Sequence, residues 1–152
     1  MVSTENNPKA HTIQVRVVAA HGELYNGTAT MVVANAFGGE IGIKPRHTPL
    51  IAILKPGQAV IEHADGSEEV FYVSGGVIEV QPHLVTILAD DAARAKDLDE
   101  AQTQRARENA QRLLADKTAK LDYAKLQAEL AQSLAQLRVL RRYKNQVEKR
   151  RS

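Results

Sequence analysis

Gln58-Ala59-Val60-Ile61-Glu62-His63-Ala64-Asp65-Gly66-Ser67-Glu68-Glu69-Val70-Phe71-Tyr72-Val73-Ser74 is the stretch from which the first half of this 152-residue chain can be read. Two runs rich in β-branched and aromatic residues, Gln58 to His63 and Glu68 to Ser74, flank Ala64-Asp65-Gly66-Ser67, and that spacing predicts a β-hairpin. Outward from it, Val77 to Val80 and Val85 to Leu88 read as short strands separated by Gln81-Pro82-His83. Toward the N-terminus, Ile13, Val15 and Val17 alternate with Gln14 and Arg16, the period-2 pattern of a half-buried strand. Asn26-Gly27 predicts a tight turn opening a β-rich run from Thr28 to Ala34, because both residues tolerate positive φ. Short strands with turns about every eight to twelve residues predict an antiparallel β-sandwich over residues 11–88, behind a polar, flexible tail at 1–10.

The pattern changes after Ala89, beyond which the chain has neither Gly nor Pro. Nothing there opposes helix from about Asp97 to the end, except Asp116-Lys117-Thr118-Ala119-Lys120-Leu121-Asp122. Asp122 is the expected N-cap of a second helix, with Leu121 and Leu126 at the spacing of a hydrophobic staple. Residues 89–152 are therefore expected to form an antiparallel two-helix hairpin. Leu126, Leu130, Leu134, Leu137 and Leu140 give the second helix a narrow apolar stripe, and the first offers Ala106, Ala110, Leu113 and Leu114. Alanine dominates this seam. Each buried methylene contributes about 0.8 kcal/mol, so such a seam holds weakly and the hairpin is expected to leave its docking site at low cost.

The net charge of +2 is unevenly placed. Residues 1–88 carry 5 basic and 8 acidic side chains, whereas residues 89–152 carry 15 and 10. With no cysteine, disulfides and thiolate metal sites are excluded. No segment approaches the roughly 20 apolar residues of a membrane span, and no signal-peptide pattern opens the chain, so a soluble protein is expected, held at a membrane only through another protein.

The candidate chemistry is thin. Gly38, Gly39 and Gly42 fit neither phosphate-loop spacing, and no helix follows them; a tight sandwich loop accounts for them better. The histidines are isolated from one another and from any nucleophile motif, which argues against a metal site or general base. Asp90-Asp91 and Asp97-Leu98-Asp99 precede a helix, where capping explains carboxylates without catalysis. The sharpest charge feature is terminal. Arg138, Arg141, Arg142, Lys144, Lys149, Arg150 and Arg151 face Glu148 alone. A solvated helix end accounts for them, and two functional readings compete with it: a grip on an acidic protein surface, or on a nucleic-acid backbone. Only Tyr143 interleaves these charges, which speaks against base stacking.

Two long segments carry a resemblance. Gly38-Gly39-Glu40-Ile41-Gly42-Ile43-Lys44-Pro45-Arg46-His47-Thr48-Pro49-Leu50, and Tyr72-Val73-Ser74-Gly75-Gly76-Val77-Ile78-Glu79-Val80-Gln81-Pro82, resemble the epsilon-subunit family of F-type ATP synthases. The resemblance runs on through Val85 to Asp90, Asp97 to Ala101, Asp122 to Ala124, Ala128 to Ala131 and Ala135 to Val139, covering residues 12–140. It implies a non-catalytic rotor subunit without a cofactor, coupling the gamma subunit and the membrane c-ring to the alpha/beta catalytic head. The helical domain would be the family's brake on ATP hydrolysis. It implies a peripheral place at the cytoplasmic face of the bacterial inner membrane, with neither nucleic acid nor membrane insertion involved. Partner contacts would fall to Gly39, Glu40, His47 and Pro49, and to Arg138, Arg141, Arg142 and Lys144, the cationic helix meeting an acidic loop of the beta subunits. Some members bind ATP in the hairpin; here Leu98 and Asp99 match that motif, but Gln102-Thr103 replaces Arg-Ala, and Gln127 and Leu134 stand where further arginines would. Weak or no ATP binding is expected. The rival from another class is a basic-tailed adaptor for nucleic acid; a small hydrolase would need a polar pocket that no spacing suggests.

Overall fold

The computed structural model describes residues 11–116 and 122–151. Nine strands come first: β1 (Ile13–Ala19), β2 (Gly22–Ala29), β3 (Met31–Ala36), β4 (Gly39–Ile43), β5 (Leu50–Glu62), β6 (Glu68–Val73), β7 (Gly76–Val80), β8 (Leu84–Ala89) and β9 (Ala92–Arg94). A 3-10 turn at Ala95–Asp97 leads into α1 (Glu100–Ala115) and α2 (Tyr123–Arg151). The hydrogen-bonded order is β2-β1-β8-β7-β5-β3-β4, with β6 on the other side of β5 and β9 beside β6.

The strand β5 explains how one ladder becomes a two-layered sandwich. Its first part, Leu50 to Leu54, pairs with β7, and its second, Gly57 to Glu62, pairs with β6. Between them the register with β3 shifts, from Ala34 opposite Ala59 to Ala36 opposite Leu54, across Lys55-Pro56, where proline tolerates loss of a ladder bond. One layer is thus β2-β1-β8-β7 with the start of β5; the other is β4-β3, the end of β5, β6 and β9. Their inward residues interleave: Ile13, Val15 and Val17 of β1, Ile78 and Val80 of β7, and Val85 and Ile87 of β8 meet Val32 of β3, Ile43 of β4, Ile61 of β5 and Phe71 of β6. At the return from β6 to β7, Gly76 is obligatory, since its φ is +132° and a Cβ there would stand 2.1 Å from the Leu88 carbonyl oxygen.

The expected hairpin from Gln58 to Ser74 forms, with Gln58 opposite Tyr72 and Glu62 opposite Glu68. The Asp65 carboxylate accepts from the Ser67 amide at 2.9 Å, an Asx-type closure of the turn. Other expectations need correction. Asn26-Gly27 makes no turn: both lie inside β2, opposite Arg16 and Val15, and the chain reverses earlier, at Ala20-His21. The Asn26 side chain accepts from Gln14 at 2.5 Å across the pair, so cross-strand contacts override the local preference. The run from Thr28 to Ala34 is split between β2 and β3 at Thr30. One pair, β1 with β8, is parallel in a sandwich that is otherwise antiparallel. The ladder also continues past residue 88, because β9 pairs with β6 through Arg94.

Asp90 and Asp91 cap no helix. The Asp90 amide donates to the Gly75 carbonyl at 3.0 Å, and the Asp91 carbonyl accepts from the Ser74 amide at 2.9 Å, so the pair seals a loop against the β6–β7 return. Asp99 is the true N-cap of α1, accepting from the Gln102 amide at 3.0 Å, and Asp122 accepts from the Lys125 amide at 3.2 Å as α2 begins. The staple between Leu121 and Leu126 lies outside the described residues.

Candidate partner interfaces

Three surfaces follow from this framework. The first is the outer face of the β2-β1-β8-β7 layer. Because successive residues alternate faces, the register carries Val18 of β1, Leu88 of β8, Val77 of β7 and Ile53 of β5 into one row on the outside. Leu88 is 49% exposed and Ile53 63%, and Ile51 on the same strand reaches 73%. Phe37, 71% exposed, lies beside them, its amide donating to the Ile53 carbonyl at 3.1 Å. The adjacent row is largely polar, with Glu79, Thr86 and Arg16 in register. A contiguous apolar row bordered by polar side chains is the pattern of a protein–protein contact.

The second surface comprises the ends of β4. Gly39 enters that strand with φ +125°, a conformation that disfavours side chains, and Glu40 follows it, exposed. His47 and Pro49 lie beyond the other end, in the connection to β5. Glu40 and His47 therefore do not share a loop; the length of β4 separates them. The connection is held by the Arg46 amide, which donates to the Pro82 carbonyl at 2.9 Å, and by His47 Nδ1, 2.6 Å from the Thr48 carbonyl oxygen. Neither Gly38 nor Gly42 has the positive φ of Gly39.

The third surface is covered by the hairpin. Val60, Val70 and Tyr72 point away from the sandwich core, and Ala135 and Val139 of α2 close over them, with Tyr143 at the margin. A second buried stripe of α2, Leu126, Ser133 and Leu140, recurs at steps of seven on the side of α1, which contributes buried Thr103 and Ala110. The expected leucine stripe is thus only partly used. Leu130, Leu134 and Leu137 are half-buried, and Ala106 of α1 is exposed, because helix rotation follows the small residues that allow close approach. The Thr103 hydroxyl donates to the Asp99 carbonyl at 2.7 Å and lies 3.2 Å from Gln136 Oε1.

Polar contacts at this seam are uneven. The Tyr72 hydroxyl and Arg107 Nε are buried without a well-formed hydrogen bond. Burial pushes Tyr72 up to about 12, with the nearby Gln136 side chain opposing and the Asp91 charge adding smaller effects. Charge pairs gather instead at the end of α2. Arg142 holds Glu68 of β6 at 3.2 Å, Gln146 donates to the same carboxylate, and Lys144 pairs with Glu100 of α1. Of the four cations singled out in the sequence, Arg142 and Lys144 are engaged within the chain, while Arg138 and Arg141 face solvent.

Leu98 and Asp99 line a cavity of about 330 Å³ with Asp97, Gln102, Thr103, Ala106 and Gln136. Its charged residues are both acidic, and the Asp99 carboxylate is committed to its cap, so the lining offers a polyphosphate no cation. Among the described residues, no group of three His, Asp or Glu is placed to hold a metal ion, and no helix is long and apolar enough to cross a membrane.

Sequence reasoning missed the apolar row and Glu68. The signal for the first was present: Leu50-Ile51-Ala52-Ile53-Leu54 is apolar at every position, as a strand with one core face and one partner face requires. Glu68 had no signal, since its partner lies 74 residues away.

Comparison with known proteins places these surfaces in context. Residues 12–95 match the family described as ATP synthase, Delta/Epsilon chain, beta-sandwich domain, and residues 96–141 its long alpha-helix domain. An ATP synthase epsilon chain of Nitrosococcus oceani is 50% identical over 138 residues, covering 91% of this chain and 99% of the relative. One from a Psychrobacter species is 53% identical over 134 residues, covering 88% and 97%. Among solved structures, a chain of the Euglena gracilis mitochondrial ATP synthase, determined with OSCP, F1 and the c-ring, superposes with a TM-score of 0.68 at 20% identity. That match covers 81% of this chain and 76% of the other, and shows a shared fold.

Proposed function

The chain belongs to the epsilon chains of ATP synthase, and from that membership we propose that it couples the gamma subunit to the membrane c-ring and carries, in its helical hairpin, a brake on ATP hydrolysis. The observation that carries the coupling role is the exposed row of Val18, Leu88, Val77 and Ile53, with Ile51 and Phe37 beside it. It lies on the face of the sandwich opposite the hairpin, so a stalk protein can hold it while the hairpin stays free to move. Gamma is the partner assigned to this row. Glu40, His47 and Pro49, at the two ends of β4, are assigned to contacts with gamma and the c-ring. As part of the complex the chain sits peripherally at the membrane, on the cytoplasmic face.

The brake rests on the seam. On the helix side it is filled by Ala135 and Val139, the buried Tyr72 hydroxyl there lacks a good partner, and the sandwich core is complete without it. A population shift between docked and extended hairpins needs only a small difference in free energy. In the extended form Arg138 and Arg141, joined by Arg142 and Lys144 once released, present a cationic face to the catalytic head. The subunit supplies no catalytic group; it acts on the turnover of others.

The test is ATP hydrolysis by a catalytic head stripped of this subunit, titrated with the full chain and with a version ending at Asp97. The cut is placed there because a chain ending at Ala89 would lose β9, including Arg94, which holds Glu69 at 2.7 Å and the Leu24 carbonyl at 2.7 Å. Suppression by the full chain alone, with both forms binding, supports coupler and brake. Failure of both to bind overturns the reading.

A further inference from the structure

We propose that the last turns of α2 form an ionic latch on the β5–β6 turn that sets how often the hairpin undocks, with Glu68 as its sandwich-side keeper. The proposal deepens the brake reading and rests on it for its consequence in the complex, although the latch itself belongs to the isolated chain.

The residues are specific. Glu68 opens β6, directly opposite Glu62, and is three-quarters buried at its side chain (23% exposed). Both of its oxygens accept from Arg142 Nη2 at 3.2 Å, and Gln146, one helical turn further on, donates to the same carboxylate. Between these two, Tyr143 packs at the margin of the apolar patch formed by Val60, Val70 and Tyr72. Lys144 points to the other side and pairs with Glu100 at the start of α1. The end of α2 thus grips the sandwich with one face and α1 with another. Arg150 completes the surroundings, lining with Ser67 and Glu68 a cleft that also includes Lys96.

The rest of the seam contrasts with this. From Leu126 to Val139 the buried positions of α2 that meet the sandwich are Ala135 and Val139, and Tyr72 lies beneath them with a hydroxyl that lacks a good partner. Here apolar contact is small and no ion pair crosses to the sandwich among the described residues. Attraction that depends on charge is therefore concentrated at one end of the helix, and it is sensitive to ionic strength in a way that packing is not. While the latch is closed, Arg142 and Lys144, two of the four cations assigned to the catalytic head, are occupied within the chain.

Because the chain lacks cysteine, a unique label pair can be introduced at two exposed positions, Ala64→Cys in the β5–β6 turn and Asn145→Cys on α2. Spin-label distances on the isolated full chain should show a dominant short population and a minor long one at low salt. Glu68→Gln and Arg142→Ala should each enlarge a long-distance population about two- to fivefold, the range for a partly exposed ion pair, as should raised salt. The swap E68R/R142E should restore the short distance, which a general loss of structure would not do. Unchanged distances in the single variants, or no recovery in the swap, overturn the latch. Titration of the stripped catalytic head separates the two readings. If Glu68→Gln shifts the distances and strengthens inhibition, both stand. If the distances shift and hydrolysis is indifferent, the latch stands and the brake falls.

Discussion

The two faces of the β5–β6 hairpin are buried by different means. On the inner face, Ile61 and Phe71 are inaccessible to solvent and pack among Ile13, Ile43, Ile78 and Ile87. On the outer face, Val60, Val70 and Tyr72 are nearly as hidden, but beneath Ala135 and Val139 of a helix whose end is also tied to Glu68 by polar contacts. The same strands thus take part in one extensive core, to which every strand from β1 to β9 contributes buried side chains, and in a second, much smaller patch under one helix. The lesson is that burial alone does not distinguish permanent from separable contact; the extent of the interdigitated cluster does.

The comparison can be broken most severely from the inner side. Phe71→Ala should cost about 3–5 kcal/mol, because it removes an aromatic side chain from a site that cannot collapse, and chemical denaturation of the sandwich would measure it. Arg94, whose guanidinium lies 5.2 Å above the Phe71 ring, and Tyr25, 5.9 Å away in edge-to-face contact, lose their platform in the same variant.

From the outer side the effect should be smaller and confined. Val139→Ala removes two methyl groups' worth of buried surface, about 1.5 kcal/mol at about 0.8 per group, from docking rather than from the sandwich. Faster amide exchange at Val70 and Tyr72 with an unchanged denaturation midpoint for the sandwich is the expected signature. A drop in both would mean that the two faces are one cooperative unit.

A still smaller change sharpens the contrast. Tyr72→Phe deletes a hydroxyl that is buried without a good partner, and should strengthen docking by about 1 kcal/mol. The wild type should also show a pH dependence that the variant lacks. Since burial raises Tyr72 from an ordinary value of 10 to about 12, its contribution is complete below pH 10 and is lost as pH rises through about 12. Docking followed by exchange or label distance across that window should weaken more in the wild type than in Tyr72→Phe. The smallest expected effect is none: calorimetric titration with ATP should give no saturable heat, as the cavity beside Leu98 and Asp99 has no cation in its lining.

Legibility in the sequence followed the range of the interactions. The hairpin from Gln58 to Ser74 was readable because the turn and both strands lie within seventeen consecutive residues. Asp99 and Asp122 were readable as caps because a cap acts over three residues. Asn26-Gly27 misled because β1 pairs with β8 as well as β2, so the position of the reversal answers to the whole sheet. The unbroken run Val70-Phe71-Tyr72-Val73 announced burial on both faces, yet which element covers the outer one depended on contacts more than sixty residues away. On α2, leucine spacing was a poor guide to rotation, since Ala135 and Val139 meet the sheet and most leucines do not. The site residues divide in the same way: the β4 segment carries its own motif, whereas the apolar row exists only once four strands are aligned.

The course of β5 has a mechanical meaning. One continuous backbone belongs to both layers, bonded to β7 before Lys55-Pro56, to β6 after it, and to β3 on both sides of it. Sliding one layer over the other would shear all three ladders at once, whereas two sheets joined only by loops could creep past each other. A load applied to the row of Ile53 and Val77 is therefore transmitted along a covalent strand to the opposite layer, and the sandwich turns as a stiff body instead of yielding as a stack.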